Sequence, residues 1–476
     1  MPIRALRPSR PNALLRSRAR EAFARAPFAV ALMLAGMAAG AQAQSLVDLY
    51  QAARGYDAAY LAAKAQSDAT EFKAAQARGQ RLPQVGLKGT VSRQHFDSGS
   101  SMSAAQRAAL AASTGSTSSS YSITTKSLAL QARQSLFNAE LSAIINQADQ
   151  SLIAAEADLK TAEDDLLVRL TQAYFDVLGA QDVLSTAQTN KAALAEQLAS
   201  AKRNFEVGNA TITDTREAQA RHDLATAQEI AAQNDVQVKR AALDQLVGRT
   251  DVQPQPLLTP VMLPPLQPAT AEEWVNLTPN SSAIRKAQVG LDYAKLETTR
   301  ARAGHLPTAD LVASVSKTDI DGNGPLTVKA SDGTNSTIGV EVNVPVFAGF
   351  AVQNRIRETL ALEEKSGRDL DNAKRSVTLA TRQAFFGVQS GQAQVKALEA
   401  AESSAKLALE ATQLGYRVGV RVNKDVLDAQ TALASTQKDL YKARYDVIVA
   451  TMKLRQASGS LRPDDLDSLN RLLLPR

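Results

Sequence analysis

Enzyme chemistry needs side chains that can attack, pass protons or hold a metal, and this chain carries few of them in useful patterns. It has no cysteine, which excludes disulfides, thiolate zinc sites, cysteine-ligated iron–sulfur clusters and a cysteine nucleophile. Its histidines, His95, His222 and His305, lie far apart. No HExxH, P-loop or GxSxG pattern occurs. An exported hydrolase would need a clustered acid/base or nucleophilic site, and the sequence shows none. The expectation is a non-enzyme with no catalytic residue, no cofactor and no metal. Two carboxylates merit attention for another reason. Asp425 and Asp428 stand three residues apart and so share a helix face. As ordinary helix-start acids they would be solvated and favoured by the helix dipole.

The charge balance points to export rather than to nucleic acid. The 476 residues hold 54 Lys+Arg against 48 Asp+Glu, a net charge of +6. Seven of the basic residues (Arg4, Arg7, Arg10, Arg16, Arg18, Arg20 and Arg25) and one acid, Glu21, precede Gln44; without that segment 47 of each sign remain. A basic partner-seeking surface is therefore not expected, and neither is a nucleic-acid partner. The arginine-rich start leads into an apolar run from Phe28 to Ala39. Ala41-Gln42-Ala43 then fits a small-x-small cleavage site, which places a signal peptide at 1–43 and the cut between Ala43 and Gln44. An uncleaved anchor would be weak, because Gly36, Gly40 and many alanines interrupt the span. No adjacent arginine pair marks a twin-arginine signal, and Gln44 is not a lipidated cysteine.

The remainder is a tandem duplication. Leu82-Pro83 recurs as Leu306-Pro307, and Phe137 as Phe347. Tyr174-Phe175 recurs as Phe385-Phe386, Val207-Gly208 as Val418-Gly419, Asp214 as Asp425 and Gly248 as Gly459. The halves differ in length at one place, where 97–121 exceeds 319–334; both stretches are rich in Ser, Gly, Thr and Asp and read as surface loops. Each half predicts a helix, two strands around that loop, and then long helices. The first repeat, 44–250, holds strands at about 83–96 and 122–137 and helices at about 138–206 and 212–247. A proline-rich linker follows at 251–272. The second repeat, 273–460, holds strands at about 306–318 and 335–347 and helices at about 348–416 and 423–458, with a tail at 461–476.

The strands alternate. Val85, Leu87, Gly89 and Val91 oppose Gly86, Lys88, Thr90 and Ser92; Leu128, Leu130, Ala132 and Leu136 oppose Ser127, Gln131, Arg133 and Ser135. Leu311, Ala313 and Val315 oppose Asp310, Ser314 and Ser316, and Ile338, Val340, Val342, Val344 and Val346 oppose Gly339, Glu341 and Asn343. Such alternation fits an antiparallel sheet packed on its own helices, or a transmembrane β-barrel that is apolar to lipid and polar to a lumen. Export, and helices too long to cover a small sheet, favour the barrel. Four strands cannot close one, and lipid tolerates no open edge, so a barrel requires an oligomer that shares its strands. Glu341, Lys88, Arg133 and Asp310 would then face the lumen. Residues 138–206 lack proline and would extend about 100 Å as one helix. The Val-Gly pairs that follow each long helix read as tight turns at a tip. Six prolines between 253 and 268 exclude a helix there.

Together these segments resemble the TolC family of bacterial outer-membrane efflux and secretion channels, over essentially all of 45–474. The resemblance is carried by Arg81-Leu82-Pro83-Gln84-Val85-Gly86-Leu87, Gly304-His305-Leu306-Pro307-Thr308, Ala173-Tyr174-Phe175-Asp176-Val177-Leu178, and Gly415-Tyr416-Arg417-Val418-Gly419 followed by Asp425-Val426-Leu427-Asp428-Ala429. It implies a mixed α and β membrane protein: a homotrimer whose twelve-stranded barrel, four strands per protomer, continues into a long periplasmic α-helical barrel. It implies a passive conduit in the outer membrane of a Gram-negative bacterium, extending into the periplasm. Such a duct contacts outer-membrane lipid and serves type I protein secretion, multidrug efflux or both. Its partners would be a periplasmic adaptor and an inner-membrane ABC or proton-driven transporter. By the same resemblance, Thr213, Asp214, Tyr416 and Arg421 form a periplasmic gate network. Asp425 and Asp428 form a pore constriction selecting cations, and Val207, Gly208, Val418 and Gly419 are adaptor-contact tips. The alternative without a pore is a periplasmic coiled-coil scaffold or adaptor.

Overall fold

The computed structural model describes residues 45–97, 103–114, 120–258, 261, 263–322 and 331–473. The proposed signal segment, including Ala43 and Gln44, lies outside these residues. Two short helices open the described chain, α1 (Leu46–Tyr56) and α2 (Ala58–Gly79). Next come strand β1 (Gln84–Asp97), helix α3 (Ala104–Thr114) and strand β2 (Ser120–Phe137). Helix α4 (Ala139–Glu206) is 68 residues long and α5 (Ile212–Val247) 36. After the proline-rich stretch, α6 (Ala271–Val275) and a 3₁₀ turn (Thr278–Asn280) precede α7 (Ser282–Ala303). The second half repeats the first as β3 (Thr308–Gly322), β4 (Ser331–Asn343), α8 (Ala351–Arg417, 67 residues) and α9 (Asn423–Ser458). A short α10 (Asp465–Asn470) closes the chain.

The long helices are single rods because nothing in them breaks a helix, and each has a defined start and stop. Asn138 caps α4 by accepting from the Leu141 N–H. Thr211 and Asp214 form a reciprocal capping box at the start of α5. At 1.5 Å per residue, α4 and α8 each run about 100 Å, so each can bury side chains only where other elements wrap it.

That wrapping happens at mid-length, where a belt forms the main core. Leu166, Leu170, Tyr174, Phe175 and Leu178 of α4 pack against Leu46, Leu49 and Ala53 of α1, Ile448 and Met452 of α9, and Leu466 and Leu469 of α10. The proline-rich linker is tied into the belt. The Gln255 N–H donates to the Tyr174 hydroxyl at 2.8 Å, and the Trp274 indole N–H donates to the Pro268 carbonyl at 2.8 Å. Among the described residues, no helix is long and apolar enough to cross a membrane.

The four strands form one antiparallel sheet in the order β1-β2-β3-β4. Its register aligns Val85, Ala132, Ala313 and Ile338 in one row and Leu87, Leu130 and Val315 in the next. Leu87, Leu130 and Val315, with Ile338, Val340 and Val342, are exposed, an unpartnered apolar face. The opposite face carries Lys88, Gln131, Arg133, Asp310 and Glu341, with Arg133 paired to Asp310 at 2.6 Å. Among the described residues, no helix covers either broad face of this sheet strongly enough to bury it, and β1 and β4 each leave one edge unpaired within the protomer.

Four details differ from the sequence expectation; the first is the second loop, expected over 319–334, into which β3 runs as far as Gly322 and from which β4 starts at Ser331. The longer stretch expected as a loop contains helix α3; its alanine-rich run, Ala104–Thr114, is a strong helix former. Strand β4 ends at Asn343 rather than 347, because Pro345 has no N–H for a ladder. A register shift between Ser135 and Phe137 makes Leu136 the extra residue of a bulge. The bulge brings Phe137, opposite Ala309, onto the apolar face.

Candidate functional site at the helix-turn tip

At the end remote from the sheet, α4 turns into α5 and α8 into α9. Both turns have the same construction. The Val207 N–H donates to the Arg203 carbonyl and the Val418 N–H to the Leu414 carbonyl, each at 3.1 Å. Gly208 and Gly419 then take φ of 80° and 81°, a left-handed conformation that favours glycine. The turns leave Val207, Val418, Val420 and Val422 exposed, so four of the most solvent-exposed apolar side chains of the helical part cluster on the tip. Behind them a small core of Leu194, Leu198, Ala201, Ala218, Ala225 and Leu427 locks α4, α5 and α9 together.

The polar groups expected to form a gate are all at this tip, but the protomer does not join them as one network. The Tyr416 hydroxyl accepts from the Asn204 side-chain amide at 3.2 Å. Asp214 turns back on its own helix start, accepting from the Thr211 N–H at 3.0 Å and the Thr211 hydroxyl at 2.8 Å. Its carboxylate is therefore engaged in the capping box and not with Tyr416 or Arg421. The contact from Asp214 to the second hairpin runs through its backbone, whose carbonyl accepts from the buried Asn423 amide at 3.4 Å. Gln197 in turn donates to the Asn423 side-chain oxygen. Thr213 stands beside Asp214 in the first turn of α5. Arg421 lies across the Val-Gly turn with its guanidinium 3.6 Å from Asp425. Gly415 makes room for it: a Cβ there would sit 2.8 Å from Arg421 Cγ.

Asp425 and Asp428 share a face of α9, as their spacing requires, yet neither is a bare carboxylate. Asp428 accepts from Lys424 at 2.6 Å, one turn back on the same helix, and from Arg221 of α5 at 2.7 Å. The Lys424 hydrogen bond, with the Lys424 and Arg221 charges, holds the Asp428 carboxyl below the usual carboxylate range. Sequence reasoning missed Asn204, Gln197, Asn423 and Arg221. Lys424 was within reach of it, because a cation four residues before an acid on a helix is a local signal. Among the described residues, no group of three or more acidic or histidine side chains could hold a metal ion.

Comparison with known proteins agrees with this architecture. The chain matches the family described as outer membrane efflux protein over 49–249 and 276–460, which are its two repeats without the linker. It is 29% identical over 466 residues to the outer membrane protein TolC of Escherichia coli K12, covering 94% of this chain and 88% of TolC. It is 32% identical over 346 residues to the alkaline protease secretion protein AprF of Pseudomonas aeruginosa, covering 71% of this chain and 70% of AprF. In fold it resembles the outer membrane protein VceC of Vibrio cholerae with a TM-score of 0.70 at 18% identity, over 87% of this chain and 96% of VceC. Two matched repeats, each of strand pair and long helix pair, make this chain a member of the outer membrane efflux protein family, the TolC-like channels.

Proposed function

We propose that the chain is the outer-membrane exit duct of a tripartite export system, a passive conduit for type I protein secretion, multidrug efflux or both. The observation that carries this reading is the sheet: an apolar face without a partner, a polar face opposite, and two open edges, joined to helices of about 100 Å. Lipid tolerates neither open edges nor a lone four-stranded sheet. Three copies, each supplying four strands, give a twelve-stranded barrel with the apolar face to lipid and Lys88, Arg133, Asp310 and Glu341 toward water. The helices then continue the lumen through the periplasm. Energy comes from an inner-membrane transporter, of ABC or proton-driven type, reached through a periplasmic adaptor. The exposed tips at Val207-Gly208 and Val418-Gly419 are the adaptor's docking points.

The same reading makes the tip a gate. Tyr416 tied to Asn204 restrains the second hairpin against the first within a protomer. Arg421, with its side chain 62% exposed, is available to reach Thr213 and Asp214 of a neighbouring copy. Asp425 and Asp428 line the narrowest part of the tunnel. In planar bilayers the purified trimer conducts ions, and Tyr416→Phe combined with Arg421→Ser raises its conductance several-fold. A monomer in detergent, or a protein without conductance, would refute the conduit; unchanged conductance in the double variant would refute the gate alone.

A further inference from the structure

Two carboxylates on one helix face, repeated around a symmetric pore, would form a strongly anionic ring attracting cations. The structure places basic groups directly against them. Arg221, in the third turn of α5, spans to α9 and meets Asp428 Oδ1 at 2.7 Å. Lys424 meets the other oxygen, Oδ2, at 2.6 Å. Both carboxylate oxygens of Asp428 are thus occupied by cations, one from each hairpin. Arg421 stands 3.6 Å from Asp425. Each protomer therefore brings three basic groups, Arg221, Arg421 and Lys424, to this level of the tip against Asp425, Asp428 and Glu217. Glu217, one turn before Arg221 on α5, also acts on Lys424. The Arg221 side chain is 31% exposed, and Asp428 partly so, which keeps the pair less hydrated than a fully surface one.

Resting on the conduit reading, we propose that Arg221, together with Lys424, quenches the acidic ring, so that these two residues set the ion preference of the tunnel tip. A bare ring would concentrate cations at the constriction and retain multivalent ones. A ring in which each Asp428 is held between a guanidinium and an ammonium does neither. The consequence for transport is a narrow mouth that passes cationic and anionic cargo without trapping either. Arg221 does this through Asp428, as a positioning and charge-balancing residue. Because it comes from the other hairpin, its effect depends on α5 and α9 staying in register.

The test is the reversal potential of full-length trimer in planar bilayers under a potassium chloride gradient, with hexamminecobalt(III) as a trivalent probe. The native channel is expected to be nearly unselective and insensitive to the probe. Arg221→Gln combined with Lys424→Gln should raise the potassium-to-chloride permeability ratio at least about threefold and create block by the probe. Arg221→Lys, which keeps the charge, should retain native behaviour. Asp428→Asn in the native background leaves two cations unpaired and should turn the preference toward chloride. This last variant also serves if the double variant fails to assemble, because a merely anionic ring would keep some cation preference through Asp425. A strongly cation-selective native channel, or unchanged selectivity in both Arg221→Gln/Lys424→Gln and Asp428→Asn, overturns the proposal while leaving the conduit intact. Loss of all native conductance would remove the conduit itself.

Discussion

The Asp182 carboxyl on α4 meets the Tyr445 hydroxyl on α9 at 2.5 Å, halfway along the helices. Burial raises the Asp182 carboxyl above its usual range, against the opposing pull of the Tyr445 hydrogen bond and the Arg444 charge. The Tyr445 hydroxyl is raised as well, first by burial and then by Asp182. An acid whose folded pKa lies above its unfolded value binds more protons in the native state, so its contribution falls as pH rises from about 4 upward. Asp182→Asn keeps an acceptor for Tyr445 and removes the charge. It should raise the apparent Tm of the detergent-solubilised protein by about 2 °C at pH 7, with the gain vanishing near pH 3. Destabilisation at pH 7 that disappears near pH 3 would instead show that the carboxylate is needed in its charged form. Contacts of this kind were invisible in the sequence. Asp182 and Tyr445 are 263 residues apart, and Arg221 and Asp428 are 207 apart. Nothing local links them; only the side-by-side packing of separate hairpins brings them together. The spacing of Asp425 and Asp428, by contrast, was legible because a helix fixes it.

At the scale of elements, the two turns and the two helix ends behind them follow the duplication. Gly419 and Gly459 show how differently two left-handed glycines can be constrained. Gly419, at φ 81°, has open space where a Cβ would go. Gly459, at φ 73°, has the Ser281 backbone nitrogen 2.5 Å from that position. Gly419→Ala therefore costs only the left-handed conformation, about 1–2 kcal/mol, and acts at the tip. Gly459→Ala adds a clash with backbone at the start of α7, so its cost exceeds about 2 kcal/mol and falls on the belt core. Thermal unfolding should separate them: a clear drop in Tm for Gly459→Ala, and for Gly419→Ala a nearly native Tm with faster proteolysis at residues 207–212 and 418–423. A Gly419→Ala variant as unstable as Gly459→Ala would contradict the open geometry of the turn. These element boundaries were legible because proline, glycine and period-two alternation are local signals. Helix α3, the stop at Asn343 and the bulge at Leu136 were less so. Alanine-rich composition inside a serine-rich loop, one proline in a valine run, and one extra residue between paired strands are weak against the patterns around them.

For the whole molecule, four strands among the described residues make shared pairing a requirement of any barrel, while the number of copies comes from the family likeness. The geometry of one protomer supplies a test of both. Strands β1 and β4 lie on opposite edges of the sheet, three strand spacings or roughly 14 Å apart. That is well beyond the ~7 Å limit between Cα atoms for a disulfide, so cysteines on these edges cannot join within one protomer. In a closed barrel each β1 lies beside the β4 of the next copy, antiparallel to it, as the up-down order demands. The native chain has no cysteine, so engineered pairs report without background. Leu87→Cys on β1, combined in turn with Ile338→Cys, Val340→Cys or Val342→Cys on β4, places both thiols on the same apolar face. A pairing that matches the register between copies should give, on oxidation, covalent dimer and trimer with no higher band on a non-reducing gel. Exclusively monomeric product from these three and from the remaining apolar-face positions of β4, scanned in the same way, would deny edge sharing. A ladder extending past three would deny closure at twelve strands, because only a ring returns the last β4 to the first β1.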